Sequence, residues 1–457
     1  MEKELYSVDD VVYFSPSKSI ELYRKHLNPG FIKMLSLIGF DKVYKKAEGC
    51  VVTDMEGQQY LDFLGGYGAI NIGHNHPRVI EALEKVQQYP NILQAGINPF
   101  AAALAANLSA LTEGKLTRAF FGNSGAEAVE GALKLARIAS GKNRILYCKN
   151  SFHGKTFGAL SVTGREKYRK YFEPLLAGCD EVEYGSPESL ESKLKEGNDV
   201  AAFILEPIQG EGGIIVPPQG YLKEVRKLCD HYEVLLIMDE IQTGFGRTGK
   251  MFAYMHENVE PDILCVAKSL GGGIMPVGAY MTRDEIYQSA YGKADRCLLH
   301  TSTFGGNTYA CAAALAALEV ICNEELAQKA AEKGIYLTTK LEWLKSRYGG
   351  LREVRGKGLM IGLEFDKPYS KMLNLLTKGM VENLSSEYYA SLVAGKLLER
   401  YNIITAYTLN NPNVIRIEPP LVVSMEQIDK LLEALEGVFS QSRGFIRMAA
   451  GSIKNLL

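Results

Sequence analysis

The chain has 457 residues, 46% of them hydrophobic, enough for a sizeable core divided over two or three domains. Its 51 basic and 53 acidic residues leave a net charge of −2 with no long run of either sign, so neither nucleic acid nor a membrane surface is indicated as a partner. No apolar run reaches the roughly 18 residues of a membrane span, MEKELYSVDD lacks the order of a signal peptide, and eight scattered cysteines form no CxxC pair; a cytoplasmic protein with reduced, buried, structural thiols is expected.

In chain order, VVTDMEGQQYLDF reads as a hairpin around Glu56-Gly57, within an N-terminal segment (1–65) expected to pack with the C-terminal unit. A large domain is expected over 66–330. There, helical stretches such as AAALAANLSALTEG, AEAVEGALKLARIAS, YLKEVRKLCDHY and TYACAAALAALEVI alternate with the short apolar runs RILYC, VAAFILEP, VLLIMDE and DILCVAK. Runs apolar on both faces suit a mostly parallel sheet covered by helices, an α/β fold. A smaller α+β domain is expected over 331–457. It contains EKGIYLTTKLEWLKSRY, LMIGLEF, SLVAGKLLERY and VIRIEPPL, then a helix with Ile428, Leu431, Leu432, Leu435 and Val438 on one face.

Ligands of such sheets gather outside the carboxyl ends of the strands, so the residues just after each apolar run carry the functional information. Asn123, Ser124 and Gly125 precede a strong helix whose first N–H groups and dipole would hold an anion such as phosphate; an ordinary turn and helix cap would read the same. The P-loop lysine spacing and the GxGxxG fingerprint are missing, which disfavours ATP and NAD. After RILYC come Phe152, His153 and Gly154, where the aromatic could stack on a planar ring or simply join the core. His153 has no second histidine at metal spacing, so no metal site is expected.

Asp239 closes VLLIMDE and Lys268 closes DILCVAK. Either could be a solvated strand end, but an acid and an amine at two sheet-edge positions favour chemistry. Phosphate cup, aromatic platform, carboxylate and lysine together are what pyridoxal 5'-phosphate needs. The lysine condenses with the aldehyde, the carboxylate keeps the pyridine nitrogen protonated, and the helix N-terminus holds the phosphate.

At this point NSGAEAVEGALKLA, FHGKT, EPIQGEGG, MDEIQTGFGRTG, PDILCVAKSLGGG, TSTFGGN and IRIEPPL resemble, in order and spacing, the class III aminotransferases of pyridoxal-phosphate fold type I, from about residue 45 to 440. LDFLGGYGAINIGHNHP, GYLKEVRKLCD and TLNNPNVIRIEPPL look most like members acting on putrescine.

The resemblance implies Lys268 as the cofactor-linked lysine and proton carrier, Asp239 at the pyridinium and Gln242 at the ring hydroxyl. It implies Phe152 stacked on the ring with His153 in the same set, and Ser124, Gly125 and Ala126 at the phosphate. Family members commonly carry threonine where this chain has Ala126. Thr303 would reach the phosphate of a neighbouring subunit, implying a homodimer. Arg416 would fork the α-carboxylate of glutamate or 2-oxoglutarate, Glu211 would pair with Arg416 when no carboxylate is present, and Tyr67 would lie beside the substrate.

Lys155 departs from the FHGRT of relatives acting on ornithine or acetylornithine. Losing an arginine there fits a donor without a carboxylate, such as a diamine. The expected reaction is therefore ping-pong transfer of a terminal amine from a putrescine-like diamine to 2-oxoglutarate. An ornithine or acetylornithine aminotransferase, a related aminomutase, decarboxylase or racemase, and a non-catalytic cofactor-binding protein are the alternatives.

Overall fold

The computed structural model describes residues 5–37, 39–93, 95–348, 350–366 and 380–441; the tail SRGFIRMAAGSIKNLL lies outside them. Strands β1 (Tyr44–Glu48), β2 (Val51–Asp54) and β3 (Gln59–Asp62) come first. They are followed by β4 (Arg118–Gly122), β5 (Arg144–Cys148), β6 (Cys179–Val182), β7 (Val200–Leu205), β8 (Leu235–Asp239), β9 (Ile263–Val266) and β10 (Gly278–Thr282). The last seven form one sheet in the order β4-β10-β9-β8-β7-β5-β6. β10 runs antiparallel to β4 and β9, and every other pair is parallel.

Alternation along these strands explains why their sequences are apolar throughout. Ile145, Tyr147, Ile237, Ile263 and Cys265 point to one cluster, under the helix Gly125–Ser140, with Ala128, Val129, Ala132 and Ala136. Their neighbours Leu146, Cys148, Leu236, Met238, Leu264 and Val266 point to the other face and a larger cluster. All six residues of β7 and all four of β9 are buried, as cover on both faces requires. The helix Gly125–Ser140 begins at the N-cap Ser124 and stops at Gly141, whose φ of 68° is the left-handed cap that glycine adopts most easily.

The larger cluster continues into a second unit, so the two units share apolar packing. Here β11 (Leu351–Lys357), β12 (Met360–Phe365), β14 (Ala406–Tyr407) and β15 (Val414–Ile417) make an antiparallel sheet in the order β11-β12-β15-β14, while β13 (Ile403–Ile404) leaves it. The helix Met425–Gln441 buries Ile428, Leu431, Leu432, Leu435 and Val438, the face its spacing predicts. β2 and β3 are the hairpin read at Glu56-Gly57, and β13 pairs in parallel with β3. Among the described residues no helix is long and apolar enough to cross a membrane.

Two expectations need correction. The eight thiols are free but not all buried: Cys179 is half-buried, while Cys297 and Cys322 are exposed. Cys297 lies in the irregular segment after the helix Asp284–Tyr291, and Cys322 sits at the outer end of the helix Thr308–Asn323, where neither has a packed layer over it. The strand DILCVAK also does not run to its lysine. β9 stops at Val266, and Lys268 opens a short 3-10 turn, Lys268–Gly271.

Candidate active site

A cavity of about 580 Å3 lies where the α/β rule puts it, at the carboxyl ends of the parallel strands. Ser124, Gly125 and Ala126 enter it after β4, Phe152 and His153 after β5, Glu206 after β7, Asp239 and Gln242 at β8, and Lys268 after β9. Eight of the residues read as cofactor-binding from the sequence thus line one space; Thr303 does not.

Lys268 has a φ of 49°, in the left-handed region that a lysine occupies only under constraint from its surroundings. Gly272 and Gly273 follow with φ of 65° and 74°, so the chain reverses at once and brings Gly273 to the cavity wall. The Lys268 amine makes no salt bridge among the described residues. Burial lowers its pKa against the opposing pull of Glu211, Glu418 and Asp239, favouring the neutral, nucleophilic amine.

Asp239 is buried with both oxygens engaged. Oδ2 lies 2.6 Å from His153 Nδ1, and Oδ1 accepts the Ile241 N–H at 3.0 Å. His153 is itself fully buried, and its Nε2 has no hydrogen-bond partner among the described residues. Glu206 stands behind this pair and takes the N–H groups of Phe152 and Gly210, each at 3.0 Å. Its carboxyl is pushed up to about 7 by burial, with Asp239 adding to the shift and His153 opposing it. Sequence reasoning assigned Glu206 no role, although it is the first residue after β7 and so occupies a position the strand-end rule marks.

The helix Gly125–Ser140 points its N-terminus into the cavity. Ser124 Oγ caps the Glu127 N–H at 3.2 Å, and the Glu127 carboxylate returns to the Asn123 N–H at 2.6 Å, so this helix end attracts anionic oxygen. A Cβ on Gly125 would lie 2.7 Å from Ile241 Cδ1, so a larger residue there would have to push the Ile241 side chain aside. Pyridoxal phosphate fits the set: a desolvated lysine, an oriented carboxylate, the Phe152 ring and a helix N-terminus border one cavity of suitable chemistry.

Beside that cavity, and not lining it, lies a second cluster. Arg416, wholly buried on β15, places Nη2 2.5 Å from Glu211 and Nη1 3.2 Å from Glu418, and its guanidinium sits 5.0 Å from the Tyr67 ring centre. Glu211 also accepts the Leu409 N–H at 2.9 Å. Burial alone would raise Glu211, but Arg416 and that N–H together hold it below the ordinary carboxylate range. Both carboxylate oxygens of Glu418 take Gln242 Nε2 at 2.9 Å, so this residue joins the two clusters. Glu418 too was missed, although a glutamate directly after β15 and two residues past Arg416 was visible in IRIEPPL.

Lys155 is exposed. Its Nζ lies 4.9 Å from the Tyr168 ring centre and 5.9 Å from that of Phe152, and it makes no ion pair among the described residues. Thr303 stands on an exposed loop, where the adjacent Ser302 Oγ is 3.2 Å from Asn123 Nδ2.

A mixed, mostly parallel sheet that delivers a lysine and an aspartate from neighbouring strands to a helix N-terminus defines a pyridoxal-phosphate-dependent enzyme of fold type I. The profile of the family Aminotransferase class-III matches residues 39–439, and the chain belongs to that family. Aminotransferase PigE of Serratia sp. (strain ATCC 39006) is 39% identical over 97% of this chain; the chain spans 56% of PigE's length. Among solved structures, the ornithine aminotransferase of Toxoplasma gondii ME49 is similar at TM-score 0.82 and 32% identity, over 94% of this chain and 96% of that one. An (S)-enantioselective omega-transaminase from Thermomicrobium roseum is similar at TM-score 0.82 and 31% identity, over 96% and 99%. The class III family is pyridoxal-phosphate-dependent, and the cavity lined by Lys268, Asp239 and the helix N-terminus is where this chain would hold that cofactor.

Proposed function

We propose that the enzyme moves the terminal amine of a putrescine-like diamine to 2-oxoglutarate, in two half-reactions at one site, as a homodimer to which each subunit lends its Thr303. Pyridoxal phosphate, when bound, supplies the electron-accepting ring and the carbonyl that carries the amino group between donor and acceptor. Lys268 would hold the cofactor and then carry the proton to and from the carbon bearing the amine, a task suited to an amine whose pKa burial lowers. Asp239, oriented by His153 and the Ile241 N–H, would face the pyridine nitrogen. Gln242 would reach the ring hydroxyl, Phe152 would cover the ring, and Ser124, Gly125 and Ala126 would hold the phosphate.

The same site must accept a dicarboxylate and a diamine in turn. Arg416 would take the acceptor's α-carboxylate once Glu211 swings away, and the closed Glu211–Arg416 pair would present no free guanidinium to a donor without a carboxylate. Tyr67 would wall this end of the substrate path.

The observation that carries the donor reading is Lys155. It offers a single ammonium against two rings, with no planar fork for a donor carboxylate. The likeness to an ornithine aminotransferase supports a second reading, in which Lys155 grips an ω-amino acid as a point charge. Adding putrescine alone to the holoenzyme should convert the cofactor from its aldehyde to its amine form, read by absorbance, and 2-oxoglutarate should then reverse the change and yield glutamate. If putrescine leaves the spectrum unchanged while ornithine or acetylornithine converts it, the donor is an amino acid.

A further inference from the structure

Arg416 is shared between two buried carboxylates. Glu211 holds Nη2, Glu418 holds Nη1, and Nε has no partner among the described residues. Only Glu211 comes from the loop after β7; Glu418 follows β15, two residues beyond Arg416, and its backbone N–H is fixed to the Phe63 carbonyl at 2.8 Å. Glu418 is wholly buried and also receives Gln242 Nε2, so leaving Arg416 would strand one carboxylate and one amide together.

We propose that Glu418 is the specificity-determining positioning residue of the acceptor half-site: it stays on Nη1 throughout the cycle, leaves the Nε–Nη2 edge as the fork for the acceptor carboxylate, and weakens dicarboxylate binding through its own charge. This rests on the reading of Arg416 as the carboxylate site. With Glu211 displaced, the charges of Arg416 and Glu418 sum to zero, so an incoming carboxylate meets a guanidinium already balanced by its neighbour. The link through Gln242 ties the position of Arg416 to a residue that lines the cofactor cavity.

The test uses the holoenzyme and glutarate, a dicarboxylate that cannot react. Glu418→Gln keeps an oxygen for Arg416 and Gln242 but removes the charge. It should tighten the glutarate Kd, read from the cofactor absorbance, by about tenfold, with a matching fall in KM for 2-oxoglutarate. A glutarate Kd that is unchanged or weaker in a folded variant overturns the proposal. A structure of the wild-type enzyme with glutarate decides the geometry without any variant. Glutarate on Nε and Nη2 with Glu418 still on Nη1 upholds the proposal, whereas Glu418 displaced from Nη1 overturns it. Glutarate binding is independent of the donor, so inactivity with putrescine alongside these results would count only against the diamine.

Discussion

His153 Nδ1 and Asp239 Oδ2 stand 2.6 Å apart in a site from which both side chains are almost excluded from solvent. The pair joins residues from the ends of two strands, β5 and β8, separated in the sheet by β7, so it depends on the register of these three strands. It fixes the direction of the Asp239 carboxylate, with Oδ1 already committed to the Ile241 N–H.

Asp239→Asn keeps the shape of this arrangement and removes the charge. It should lower kcat on the order of 10²–10³-fold, with cofactor affinity falling less. A loss below about tenfold in an enzyme that retains its cofactor would mean that Asp239 only packs.

Lys268→Ala should reduce turnover on the order of 10²–10⁴-fold through lost proton transfer alone. Borohydride reduction followed by peptide mass analysis gives a readout that does not depend on activity. The wild-type peptide spanning Lys268 should carry the cofactor, and the variant should carry it nowhere. Cofactor fixed to another lysine of the wild-type chain would dismiss Lys268.

Much of this site was legible because chain ends of parallel strands are few and their apolar runs are easy to see. Asp239 and Lys268 followed from VLLIMDE and DILCVAK, and the helix start from NSG. The turn at Lys268 was not legible, because a left-handed φ at a non-glycine residue is imposed by the surroundings and leaves no local signal. Glu206 and Glu418 were hidden for another reason. A glutamate after a strand reads as a solvated end, and only the three-dimensional packing shows that these two are buried and held by N–H donors and by Arg416. The exposed thiols erred the other way, since composition cannot tell a packed cysteine from one at a helix end.

Arg416 is also a stability element. Arg416→Met leaves Glu211 and Glu418 buried without their cation, which should cost about 3–5 kcal/mol. The shift in denaturation midpoint at fixed protein and cofactor concentrations measures it. Adding Glu211→Gln should recover part of the loss, because one uncompensated charge is then gone. A single-variant loss below about 1 kcal/mol would show that water reaches this cluster.

Glu240 gives a stability effect with a defined sign. It lies next to Asp239 but does not line the cavity, and burial pushes its carboxyl from 4.5 up to about 7 against hydrogen bonds from Thr243, Ala253 and Tyr254. Between those values the folded chain keeps a proton that the unfolded chain has released, so this contribution is complete below about pH 4.5 and falls as pH rises to about 7. The difference in stability between wild type and Glu240→Gln should therefore shrink or turn against the wild type across that window, by up to about 1.4 kcal/mol per pH unit, and be flat above it. Thermal unfolding at half-unit pH steps tests this, and a pH-independent difference would show that Glu240 does not titrate there.

Lys155→Arg tests the donor reading at a position where folding is not at risk, because the side chain is exposed and rests on the Tyr168 and Phe152 rings. Both residues carry one positive charge, so any change in donor preference must come from geometry. A guanidinium can stack on the same rings and still offer two parallel N–H groups to a carboxylate, which a rotating ammonium cannot hold in one plane. The ratio of kcat/KM for ornithine over putrescine should rise about tenfold, mostly through a lower KM for ornithine. An unchanged ratio would mean that the donor's far end does not approach Lys155, and the choice between diamine and amino acid would then rest with Tyr67 and the Arg416 cluster.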